Sequence, residues 1–109
     1  MSYFFSTLTS AELKAVTISL EILLNNLNQF SMEDYIYLSG NIPTIIRKVK
    51  CKEKIDNTEI SIIAISLVYL HEALNNSEAI SESDKQKILQ KQSIYDKLYN
   101  DFKFFAPIE

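Results

Sequence analysis

The stretch TSAELKAVTISLEILLNNL, residues 9–27, decides the fold class. Thr9-Ser10-Ala11-Glu12 has the form of a capping box, in which a hydroxyl accepts one free N–H of a helix start and the carboxylate takes another. Leu13, Val16, Leu20, Leu23 and Leu27 follow at steps of three and four, which is one face of a helix. Moved 47 residues along the chain, the stretch lands on DNTEISIIAISLVYLHEAL, residues 56–74. Glu12 then meets Glu59, Ile18 meets Ile65, Ser19 meets Ser66, Leu20 meets Leu67, Leu23 meets Leu70 and Leu27 meets Leu74. Ser31 and Asp34 correspond in the same way to Ser81 and Asp84 after a further shift of three residues. The repeat points to two helical hairpins related by a pseudo-twofold axis.

Working outward, Ser31 opens a second helix, with Asp34 three residues on and with Phe30 and Tyr35 placed to form a hydrophobic staple. Tyr35, Leu38, Ile42, Ile45 and Val49 keep the helical step across Gly40 and Pro43. Pro43 has no N–H and its ring opposes the Ser39 carbonyl, so the helix must kink or break there. The apolar phase does not slip, which favours one kinked helix over two short ones. Residues 51–56 form a charged connection, and Asp56 or Asn57 caps the third helix, whose stripe is Ile60, Ile63, Leu67, Leu70 and Leu74. A fourth helix starts near Ser81 or Ser83, where Ser83-Asp84-Lys85-Gln86 fits a capping box. Its stripe is Ile88, Tyr95, Leu98, Phe102 and Phe105, interrupted by Lys91, and Pro107 prevents continuation. The many Ile residues would allow strands, but no segment alternates cleanly and hairpin turn dipeptides are missing. The expected fold is therefore an all-α, single-domain four-helix bundle over residues 1–109, its second helix kinked at Gly40 and Pro43.

Composition excludes several function classes. At 109 residues and 12.6 kDa there is room for one core. Gly occurs once and Pro twice, which leaves no Gly-rich phosphate loop. One Cys and one His make neither an internal disulfide nor a metal site between them, so no cofactor and no metal are expected. No enzyme class has its parts in this chain, and no catalytic residue is assigned. The formal charge is −3, which exerts no global pull on nucleic acid or anionic membrane. The opening residues MSYFF lack the basic and long apolar regions of a signal peptide. The most apolar run, residues 60–70, falls well short of the roughly 20 residues a spanning helix needs. A cytoplasmic protein with a reduced Cys51 is expected.

Arg47, Lys48, Lys50, Lys52 and Lys54 form the strongest charge cluster. They are candidates for binding an acidic protein face or phosphates, against the plainer reading that cations complement the dipole of a helix C-terminus. A helix-turn-helix needs a polar recognition helix after a short turn, whereas the helix after this cluster is almost wholly apolar. Nucleic acid is thus the alternative partner, through a regulator that uses residues 47–54, and not the leading one. His71 and Cys51 have plain readings, as a cation near a helix end and as a half-exposed thiol. The aromatic residues near the termini (Tyr3, Phe4, Phe5 and Phe102, Phe104, Phe105) are expected to pack on the bundle or line a partner groove.

The third helix carries a second apolar seam, Ile62, Ile65, Tyr69 and Ala73, which matches Ala11, Ala15, Ile18 and Ile22 on the first. A surface helix needs one stripe. The third helix should therefore be central, with its second seam covered by the aromatic termini or by another chain. The leading expectation is a homodimer through Ile62, Ile65 and Tyr69, and a function in protein binding as an adaptor, regulator or inhibitor. The Lys-, Asn- and Ile-rich composition resembles that of proteins from low-GC bacteria, their phages and plasmids. In size and helix number the chain resembles small helical immunity proteins against peptide bacteriocins. That resemblance implies toxin binding as an alternative function, and it rests on architecture alone.

Overall fold

Four of the five α-helices among the described residues begin on a side chain that accepts a backbone N–H. The computed structural model describes residues 8–74 and 80–106. Helix α1 (Ser10–Asn25) starts from Thr9 and α3 (Asn57–Ala73) from Asp56, each as a complete capping box with Glu12 or Glu59 closing it. Helices α2 (Met32–Lys50) and α4 (Glu82–Gln90) start from Ser31 and Ser81, which accept from the Asp34 and Asp84 N–H groups at 3.2 and 3.1 Å. The cap of α4 is thus Ser81 and not Ser83. Of the two residues of the expected staple, Tyr35 is exposed and the Phe30 ring lies 5.8 Å from the ring of Tyr69. Helix α5 (Gln92–Phe102) leads into a 3-10 turn at Lys103–Phe105, and another such turn, Leu27–Gln29, follows α1.

The described residues are all-helical, but the expected fourth helix is two. Lys91, at φ −126° and ψ 32°, separates α4 from α5. The reason lies in the side chains. Helix α4 buries Ile88 alone, whereas α5 buries Tyr95, Leu98 and Phe102, and a straight helix through both would carry Lys91 into that stripe. Helix α2, by contrast, runs uninterrupted through Gly40 and Pro43, with Leu38, Ile42, Ile45 and Val49 buried on its inner face. It ends in a Schellman motif: the Lys52 N–H donates to the Val49 carbonyl at 3.2 Å and the Glu53 N–H to the Lys48 carbonyl at 2.8 Å. Glycine usually occupies the left-handed position of that motif. Here it is Lys52, at φ 57°.

Helices α1 and α3 form the centre. They pack on each other, α1 also on α2, and α3 also on α5 and the Lys103–Phe105 turn. Two further contacts cross between the halves and are reciprocal, α1 with α5 and α2 with α3. Where α1 meets α3, the buried hydroxyls of Ser19 and Ser66 lie 3.0 Å apart. The Val16 and Ile63 carbonyls sit 2.7 and 2.6 Å from them. Two hydroxyl protons cannot fill three such contacts, so one Ser donates to the other while its neighbour donates to its own helix.

The two capping glutamates extend the correspondence. Glu12 Oε2 meets Lys97 Nζ of α5 at 2.8 Å, and Glu59 Oε2 meets Lys48 Nζ of α2 at 2.8 Å. Each pair ties the first helix of one half to a later helix of the other. The Lys97 ammonium, with the Thr9 N–H, holds the Glu12 carboxyl below its ordinary range, and Glu12 with Asp101 raises Lys97. Glu59 likewise raises Lys48.

Candidate interaction surface

The basic cluster is spread over a helix end and partly neutralised by its own chain. Arg47 Nη1 meets Glu53 Oε2 at 2.8 Å, Lys48 meets Glu59, and Lys50 Nζ lies 3.9 Å from Glu21 Oε2. Lys52 serves the Schellman turn, and Lys54 is exposed in the connection to α3. Cys51 caps α2 and is exposed. The ring of His71 stacks on Tyr99 at 3.8 Å and 7°, a contact between α3 and α5 that spacing along the sequence does not reveal.

The second seam of α3 is largely enclosed by its own chain. Ile62 is 1% exposed, while Ile65 and Tyr69 are half-buried against the core. Burial raises the Tyr69 hydroxyl above its ordinary value. Ala73 is buried as well. On the seam of α1, Ala15 and Ile22 are buried, Ile18 is half-buried and Ala11 is exposed. Of the terminal aromatics, Phe102 is fully buried and its ring is 6.2 Å from that of Phe105, whereas Phe104 is exposed with Lys103 above its ring at 5.3 Å. Tyr3, Phe4 and Phe5 lie outside the described residues.

The exposed apolar side chains collect elsewhere, on the first turns of α2. Met32 is 73% exposed, Ile36 64%, Tyr37 46% and Tyr35 44%. With 3.6 residues per turn, Glu33, Ile36, Tyr37, Pro43, Thr44 and Arg47 all lie within about 60° of Gly40 around the helix axis. Every one of these residues, and Gly40 itself, is exposed. This outer face points away from Leu38, Ile42, Ile45 and Val49, so packing among the described residues does not use it. No charged residue occurs from 35 to 46, a run of twelve. That run is the signal a reading of the core stripe alone overlooks, because an outward helical face in water usually carries charge.

Gly40 is the only glycine of the chain, and it sits inside a helix. Glycine there costs roughly 0.5–1 kcal/mol relative to alanine. Its φ is not positive, and a Cβ added to it would meet nothing within 4 Å. The fold of the described residues therefore gives no reason for a glycine at this position.

A groove of about 440 Å³ between α1 and the α4–α5 break is lined by Lys14, Ala15, Ile18, Lys87, Lys91 and Tyr95, among others. Burial pushes the Tyr95 hydroxyl up to about 12. Among the described residues no three or more His, Cys, Asp and Glu side chains are grouped to hold a metal ion. No helix among them is long and apolar enough to cross a membrane. Comparison with protein-family models, with curated proteins and with solved structures finds no match for the chain.

Proposed function

We propose that the chain is a non-catalytic protein-binding module whose docking surface is the outer face of α2, on a scaffold of two helical hairpins with α2 bent at Gly40 and Pro43. The observation that carries this reading is the contrast between two matching positions. At the offset of 50 that aligns Ser31 with Ser81, Met32, Ile36 and Tyr37 correspond to Glu82, Gln86 and Lys87. The same place in a related helical unit is thus solvated by charge in one half and lined with apolar and aromatic side chains in the other. Folding does not call for the apolar set, because α4 does without it. Side chains of this kind gain about 1.5–3 kcal/mol each when fully covered, and aromatic residues and Met are enriched in protein interfaces. The basic cluster supports an acidic partner less well, since three of its five cations already face carboxylates of this chain.

Photo-crosslinking in the producing cell tests the reading. A benzophenone side chain at position 36 is expected to give one discrete adduct, and the same group at position 86 none. No adduct from 36, or equal yields from both positions, would reject the surface.

A further inference from the structure

We propose that the protein docked on the outer face of α2 is a second copy of this chain, paired antiparallel about a twofold axis at Gly40. The proposal rests on the reading of α2 as the binding surface and names its partner. A twofold at residue 40 sets each position against its mirror position in the other copy, as an isologous interface requires. Glu33 then faces Arg47, Ile36 faces Thr44, Tyr37 faces Pro43 and Gly40 faces Gly40. All of these residues are exposed on one face of one helix. The layout is complementary in each pair: an acidic side chain against a basic one at both ends, and apolar side chains against a proline ring and a threonine methyl inside. In a parallel pairing Glu33 would face Glu33 and Arg47 would face Arg47, so charge selects the antiparallel arrangement.

Gly40 lies at the centre of this pattern, where two helix backbones come closest. The open space around it in the single chain is the space a second helix would occupy. Arg47 holds Glu53 through Nη1 alone, and the guanidinium keeps further N–H donors for Glu33 of the other copy. Within one chain Glu33 and Arg47 are 14 residues apart on a single helix, about 21 Å, and cannot meet.

Sedimentation equilibrium of the full chain tests the pairing. Wild type is expected to sediment at twice 12.6 kDa at micromolar concentration, and Gly40→Leu as a folded monomer of 12.6 kDa. Position 40 is exposed and a Cβ there meets nothing within 4 Å, and circular dichroism checks that this variant stays helical. Should Gly40→Leu not fold, Ile36→Lys on the same face replaces it with the same expectation. Glu33→Arg and Arg47→Glu are each expected to weaken the dimer about tenfold, and together to restore it, because both contacts occur twice. That restoration has no explanation inside one chain. A monomeric wild type at about 100 μM would overturn the proposal, as would failure of the double variant to recover. A dimer that survives Gly40→Leu and separates on Ile65→Asp would move the contact to α3 and also overturn it. A monomeric wild type with a heavier adduct from position 36 would overturn self-pairing alone and leave α2 as the binding surface.

Discussion

The two halves of the molecule begin alike and end differently. Both open with a capping box whose glutamate crosses to a lysine of the other half, and both start their next helix on a serine cap. Their central helices meet at corresponding serines. Beyond those shared elements the outer surfaces diverge: α2 is unbroken and apolar on its exposed face, whereas the matching region is charged and broken at Lys91. The buried parts of a repeat are held to one pattern by packing. Its solvent face is free to differ, so a difference there is informative about what the surface meets.

The largest expected effect probes the shared part. Leu20 and Leu67 correspond and are both buried, so Leu20→Ala and Leu67→Ala should each cost about 2–5 kcal/mol in urea unfolding. A gap of more than about 2 kcal/mol between them would break the equivalence of the halves. Next comes the acid limb of stability. The Glu12 carboxyl is lowered in the folded chain, so its contribution is fully present above the unfolded value of about 4.3 and is lost as pH falls through the folded one. Glu12→Gln keeps a capping side chain and should flatten that limb. Lys97 is raised, so its share persists below the unfolded lysine value and disappears as pH rises through the folded one. An acid limb unchanged in Glu12→Gln would remove the ion pair from the account.

Smaller effects sharpen the contrast. Lys52→Gly relieves a left-handed lysine and should stabilise the chain by about 0.5–1 kcal/mol, read as a higher urea midpoint. A loss would mean that the Lys52 side chain holds more than its backbone shape indicates. Ser19→Ala and Ser66→Ala should have equal, slight effects, because each leaves the other hydroxyl free to donate to its own helix carbonyl. The double variant should stay within about 1 kcal/mol of wild type, since it removes both partners of one bond. Unequal single variants would show that the proton is held on one side.

The helices were legible because their information is local. Caps at Thr9, Ser31 and Asp56 and the steps of three and four from Leu13 to Leu27 lie within a few residues of one another. The offset of 47 was legible too, as an alignment of Ser19 with Ser66, but their contact in space is a finding of the structure. What escaped depended on distance through space. Phe30 found Tyr69, and His71 found Tyr99. Three cations of the basic cluster found carboxylates as far along the chain as Glu21. The sequence already placed the third helix at the centre, but which side chains lie against its seam at Ile62, Ile65 and Tyr69 depended on contacts through space. The outer face of α2 was missed for the opposite reason: its signal is an absence of charge, which a search for apolar stripes does not register.

The central claim is that the apolar outer face of α2 belongs to binding and not to the fold. Urea unfolding of one variant tests it most directly, with Met32→Glu, Ile36→Gln and Tyr37→Lys giving α2 the residues that α4 carries. The measurement is made at protein concentrations low enough that association adds nothing to stability. The account predicts a cooperative transition within about 1 kcal/mol of wild type, because exposed substitutions change stability little. A loss of about 3 kcal/mol or more would contradict it, since these side chains would then be supporting the fold of the single chain.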